Sequence, residues 1–222
     1  NITIVTGIKK RKIRGKWSKE YLARTIKVDR GEVNGKIIPS EKIKTEFESL
    51  AAVAVVKGTT LTYTVNEEGY VIIHSEEGEL ACNSQDGWVT FTLSSGESIG
   101  AYICPPPEEV VLLVCYTGTI EFNVGNTTVT LEAGEQIAAY YNPTTGVVNV
   151  ASVVGEVEVT SEGTTVTVAE GLGTTCPPEA PPGEPTTPTI DPCYFVEAPP
   201  PPMLMAPEPP PPPPTPPASP SE

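Results

Sequence analysis

The sequence predicts an all-β protein, a repetitive antiparallel, solenoid-like or folded-over β-sandwich, carrying an extended polyproline-rich C-terminal tail. Three observations carry that expectation. Short runs of Val, Ile and Thr alternate with polar residues between Gly, Asn-Gly and Glu-Gly punctuation, the period-two pattern of strands that reverse at turns. A unit of strand, turn, strand, turn recurs along the chain. Of the 26 prolines, 21 lie between Pro177 and Pro220, where they exclude a sheet interior and favour a polyproline II rod.

The chain divides into an N-terminal strand and basic segment (1–15), a β-domain with internal repeats (16–175) and the tail (176–222). Asn1-Ile2-Thr3-Ile4-Val5-Thr6-Gly7-Ile8 reads as a free-ended strand leading into Lys9, Lys10, Arg11, Lys12 and Arg14. The segment Trp17 to Thr25 is the one stretch that admits a helix. Thr59 to Val65 is a strand with one polar face, followed by the turn Asn66-Glu67-Glu68-Gly69. Val89 to Leu93 and Thr128 to Leu131 follow the same rule.

The repeat is clearest late in the chain. Residues 118–134 align without gaps on 155–171, an offset of 37. An earlier copy runs from Gly78 to Ile99, and a fainter one ends at Ser40-Glu41-Lys42-Ile43. Repeats of this length stack, each burying its apolar face on the next, and stacking leaves open ends.

Charge is divided along the chain. All 14 Lys and Arg residues fall between Lys9 and Lys57, so residues 1–57 carry +8 and residues 58–222, with no base, carry −22. Such separation leaves like charges repelling one another. Three relationships would relieve it: pairing within the chain, contact between the basic end of one copy and the acidic body of the next, or binding of a cell-surface polyanion. Nucleic acid is not expected, because most of the chain would repel phosphate.

Little points to catalysis. His74, the only histidine, sits at the end of an apolar run, where a structural role is the expectation. No GxSxG, HExxH, phosphate-loop, haem or calcium-loop motif occurs, and the cysteines lack zinc-site spacing. No catalytic, cofactor or metal residue is therefore assigned. The longest apolar runs are strand-length, far below the roughly 18 residues of a membrane helix.

Five cysteines, Cys82, Cys104, Cys115, Cys176 and Cys193, read as staples. Cys104 with Cys115 would close a hairpin-like loop, and Cys176 with Cys193 would anchor the tail, at about 3 kcal/mol per loop. Cys82 is then left as a buried thiol or an intersubunit link. The sequons at Asn1 and Asn126, with a start at Asn rather than Met, fit an extracellular or cell-surface protein.

Ser40-Glu41-Lys42-Ile43-Lys44-Thr45, then Leu50 to Val55 and Gly58-Thr59-Thr60-Leu61, resembles the core of the FecR domain. The units at 118–134 and 155–171 look like the later strands of that family, so the resemblance spans about residues 16–174. It implies an all-β, folded-over domain outside the cytoplasm. The function expected is a structural subunit of an extracellular filament or surface appendage. Ile2, Ile4, Val5, Ile8, Lys9, Lys10, Arg11, Lys12 and Arg14 would join it head to tail to the next copy, with the tail lying along the assembly. The alternative is a monomeric FecR-type sensor or protein-binding module.

Overall fold

Every regular element of the computed structural model is a strand. It describes residues 2–9, 12–13, 16–17, 19–38, 40, 42–56, 58–104 and 110–190. The N-terminal strands are β1 (Ile2–Lys9), β2 (Lys12–Ile13), β3 (Lys16–Trp17), β4 (Tyr21–Val28) and β5 (Gly31–Lys36). There follow β6 (Lys44–Glu48), β7 (Ala52–Val56), β8 (Thr60–Val65), β9 (Val71–Glu77), β10 (Leu80–Ser84), β11 (Val89–Leu93) and β12 (Ser98–Ile103). The last are β13 (Val111–Thr117), β14 (Thr119–Val124), β15 (Thr127–Glu132), β16 (Gln136–Tyr141), β17 (Val148–Val154), β18 (Val157–Ser161), β19 (Thr164–Val168) and β20 (Gly173–Cys176).

These build two large sheets. One has ten strands in the order β1-β4-β6-β7-β10-β11-β14-β15-β18-β19, and the other has eight, β20-β17-β16-β13-β12-β9-β8-β5. From β6 onward the chain lays down strands two at a time, a pair in the ten-stranded sheet and then a pair in the eight-stranded one. Among the described residues every pairing is antiparallel except β4 with β6.

The alternation of the sequence explains the layering. On β8, Leu61, Tyr63 and Val65 are buried while Thr60, Thr62 and Thr64 between them are only half-covered. Leu61, Tyr63, Ile73, Leu80, Phe122 and Leu131 join one core cluster between the sheets. The Phe91 and Phe122 rings tilt together at 5.1 Å. Each large side chain removed from water there contributes about 1.5–3 kcal/mol.

The repeat has a specific chemical basis. Gly58, Gly96, Gly134 and Gly171 stand where the chain leaves the ten-stranded sheet for the other, and all have positive φ, which glycine adopts without a Cβ penalty. Gly96, Gly134 and Gly171 donate to the carbonyls of Ser75, Cys115 and Ser152 at 2.7, 2.8 and 2.9 Å. The side chains of those same three residues donate to the carbonyls of Gly78, Gly118 and Gly155. Cys115 therefore occupies a position that serine fills in the neighbouring units.

Three expectations need correction. The stretch that admits a helix is occupied from Tyr21 by strand β4, because zipping to β1 and β6 satisfies its backbone on both sides. The faint repeat ending at Ile43 leads into β6 of the ten-stranded sheet, whereas the equivalent turn glycine is Gly58. The proposed cysteine pairings are not made, since Cys82, Cys115 and Cys176 are free. Cys115 faces the main core and Cys104 the opposite side of the sheet. Cys104 adjoins Val110 and Cys115 is paired with Ile99, so the two lie about 15 Å apart along the hairpin, beyond disulfide reach. Cys176 likewise points into the main core. Cys193 lies outside the described residues.

Candidate assembly surface

The two ends of the ten-stranded sheet differ in chemistry. At one end β1 pairs with β4 along its whole length, Ile2 opposite Val28 through Lys9 opposite Tyr21. The strand is thus zipped into its own sheet rather than free-ended, and donating it whole to another copy would break that pairing. Its other edge meets no described strand. Ile2, Ile4, Val5 and Ile8 remain 51%, 64%, 48% and 73% exposed. Ile2 and Ile4 stand beside Val28 and Ile26, which belong to the main core, so the apolar row continues past the point where the second sheet covers it.

Charge anchors this end. The Lys9 ammonium lies 2.7 Å from Glu48 and 3.6 Å from Glu46, and the Tyr21 hydroxyl donates to Glu46 at 2.6 Å. Glu46 is fully buried, a position a carboxylate occupies only when paired and hydrogen-bonded. The Lys44 ammonium sits 4.4 Å over the Tyr21 ring, a cation–π contact. Arg30 pairs with Glu67, and Lys36 with Glu77 at 3.2 Å, so part of the positive charge of residues 1–57 is neutralised within the chain. The Lys36 ammonium and the Thr60 hydroxyl hold the Glu77 carboxyl below its ordinary range. Lys12 lies on β2. Asn1, Lys10, Arg11 and Arg14 lie outside the described residues.

At the opposite end stands β19, a Thr-Thr-Val-Thr-Val strand paired, among the described residues, only with β18. Thr164, Thr165 and Thr167 are exposed. The end strand of the eight-stranded sheet at this side, β20, is treated differently. Gly173 and Thr186 exchange two backbone hydrogen bonds of 2.8 Å, and Gly183 donates to Thr175 at 2.9 Å. The start of the proline-rich region thus caps β20, while the outer edge of β19 meets no described strand.

The remaining sequence candidates are scattered. Asn126 is exposed in the turn between β14 and β15. His74 is buried beside Ser98 on the neighbouring strand. Cys82 is enclosed in the core, where burial pushes its thiol far above the ordinary range, and burial raises Cys115 to about 11. An open groove crosses the outer face of the ten-stranded sheet, lined by residues such as Asn83, Thr90, Thr92, Asn123 and Thr130. Among the described residues no His, Cys, Asp or Glu cluster of three could hold a metal. No described helix is long and apolar enough to cross a membrane. The exposed aliphatic row on β1 was legible in the sequence. The capping of β20 was not, because nothing local distinguishes residues 183–186 from solvated linker.

No family model matches the chain, and no curated protein matches it. Among solved structures, it is similar to a putative anti-sigma factor from Parabacteroides distasonis, with 12% identity and a TM-score of 0.20. The match covers 77% of this chain and 56% of that one, so this chain spans little more than half the neighbour's length.

Proposed function

We propose that the protein is a structural subunit that assembles head to tail, the β1 edge of one copy continuing the ten-stranded sheet onto the β19 edge of the next. The observation that carries this is one sheet ending in two strands without outer partners, among the described residues, and of opposite character. An exposed, hydrophobic edge strand is a ready template for pairing. Here it presents four large aliphatic side chains next to the basic segment. The other edge is short, rich in threonine and set in the part of the chain that has no base. Because the surfaces differ, the contact is heterologous and propagates as a ring or open filament. Main-chain hydrogen bonds supply affinity and the aliphatic side chains supply register.

An extracellular or cell-surface setting goes with this reading. Cys104 is disulfide-bonded, which belongs with an oxidising compartment.

Light scattering and electron microscopy of the full chain test the proposal. Particles much heavier than the 23.5 kDa chain are expected, dispersing to monomers in the double variant Ile4→Lys, Ile8→Lys with an unchanged β-sheet circular dichroism spectrum. A monodisperse monomer that binds a membrane-signalling partner would instead establish the FecR-type sensor.

A further inference from the structure

The two large sheets end out of step with each other. At the N-terminal end the ten-stranded sheet is the longer one. The Tyr63 ring of β8 stacks on Phe47 of β6 at 5.6 Å. Beyond β8 the eight-stranded sheet has β5 alone among the described strands, whereas the other sheet has β4 and β1 beyond β6. The core-facing side of this projection is an apolar ledge. Antiparallel partners point to the same face of a sheet, so Ile2, Ile4 and Ile8 share the face of Val28, Ile26 and Leu22. Val28 and Ile26 are core residues, but Ile2, Ile4, Ile8 and Leu22 remain exposed. Arg24 stands on that same face, midway between Leu22 and Ile26. It is exposed and has no acidic partner among the described residues.

At the C-terminal end the step is reversed. Residues 183–186 lie along the free edge of β20 as one more row of the eight-stranded sheet, held by the Gly173–Thr186 and Gly183–Thr175 backbone bonds. The Thr174 hydroxyl adds a bond to the Gly183 carbonyl at 2.7 Å. The Ser161 hydroxyl, at the end of β18, donates to the Ala180 carbonyl at 3.0 Å and ties down the approach to this row. After Thr186 the chain crosses the outer face of the sheet, where Thr189 donates to Asn149 on β17 at 3.1 Å and Ile190 is buried. No described row of the ten-stranded sheet extends beyond β19 to match. Pro182, Pro185 and Pro188 carry no N–H, so the added row is a poor template for a further strand and offers side chains instead. Glu184 is exposed within it, in the part of the chain that has no base.

We propose that the two steps fit one another as a lap joint: the ledge of one copy lies beneath residues 183–188 of the next, with Arg24 paired to Glu184 of that copy. This rests on the head-to-tail reading and adds a second contact to it. The register of the sheet allows both contacts at once. Of its nine strand-to-strand pairings, eight are antiparallel and β4 with β6 is parallel, so β1 and β19 run in the same direction. Followed from partner to partner, the register also brings Val5 level with Thr167. A copy added in the plane of the sheet therefore meets β19 with β1 parallel and at the same height. The added row, one layer above, then projects over the ledge. Covering Ile2, Ile4, Ile8 and Leu22 supplies a non-directional gain. The Arg24–Glu184 pair fixes register and excludes the reversed contact, in which like ends would meet.

Charge swaps in the full chain, followed by light scattering, test the joint. Arg24→Glu and Glu184→Arg are each expected to raise the concentration at which half the chains are assembled by about tenfold or more, because like charges then face each other. Mixing the two variants is expected to restore wild-type assembly, since every contact between unlike chains again pairs opposite charges. Single variants that assemble as wild type does would overturn the joint and leave the pairing of β1 with β19 standing. Weakened variants that mixing does not rescue would also overturn it. A wild type that stays monomeric would refute the head-to-tail reading itself and assign the ledge to a different partner. Should either swap not fold, carbodiimide coupling of assembled Arg24→Lys decides. A cross-link from residue 24 to Glu184 of another copy supports the joint, and coupling elsewhere or none refutes it.

Discussion

The repeat body and the N-terminal end of this molecule solve the same problem by different means. From β8 to β20 each unit supplies the next unit's partner. Ser75, Cys115 and Ser152 make one hydrogen-bonding pattern three times over, and apolar side chains from both sheets fill a continuous core. At the N-terminal end the described strands do not repeat that pattern. There the chain uses a parallel pairing, β4 with β6, the one such pairing among the described residues, and a buried carboxylate, Glu46, held by Lys9 and Tyr21. Its last strand, β1, still leaves aliphatic side chains in water. A stacked architecture is cheap to extend and costly to end.

Substitutions in the two regions should separate this contrast sharply. The largest effect is expected at Phe122→Ala in the body, which leaves a cavity against Phe91 and should lower unfolding stability by about 3–5 kcal/mol in denaturant titration. Its counterpart at the end, Ile4→Thr, should change monomer stability by less than about 0.5 kcal/mol, because that side chain is already exposed. Equal losses at the two positions would mean that β1 is packed in solution after all.

The cysteines sharpen the repeat half of the comparison. Cys82→Ser puts a hydroxyl into the core where the thiol makes only a 3.9 Å contact with the Leu80 carbonyl, and should cost about 1–3 kcal/mol. Cys115→Ser should cost under about 1 kcal/mol, since the Gly118 carbonyl is placed to accept, as Gly78 and Gly155 accept from serine. Similar costs for both would show that the repeated hydrogen bond is incidental.

The smallest effect is expected where the basic and acidic regions meet at the surface, Lys36 with Glu77. The folded carboxyl is held below its ordinary range. The contribution of the pair is therefore present above the unfolded carboxyl range and disappears as pH falls through the folded value. Being exposed, it is screened by salt. Side-chain NMR should show Glu77 titrating lower in wild type than in Lys36→Ala, with no measurable change in unfolding midpoint near neutral pH.

Much of the fold was legible in the residues themselves. Val89 to Leu93 forms β11 as its alternation requires, and the aligned units at 118–134 and 155–171 form the matching hairpins β14–β15 and β18–β19. What escaped was non-local. Tyr21 to Val28 has no clean alternation, because Ala23 and Thr25 are buried as well as Ile26 and Val28. That pattern comes from covering both faces of the strand. Cys104 and Cys115 looked like a closing pair by spacing, but side-chain direction put them on opposite sides of one sheet. Of the candidate assembly residues, the aliphatic ones were readable from β1 alone, whereas the pairing of Lys9 with Glu46 and Glu48 joins residues 37 and 39 positions apart.

The sequence by itself determined that this chain would be strands, where most of them turn, and that charge would be segregated, since period-two alternation, glycine at turns and residue charge are local properties. Tertiary structure alone decided which strands became edges, which cysteines stayed free and which face of the second sheet received the chain after β20. Those outcomes depend on which surfaces are left over once the sheets have paired, and no single segment carries that information.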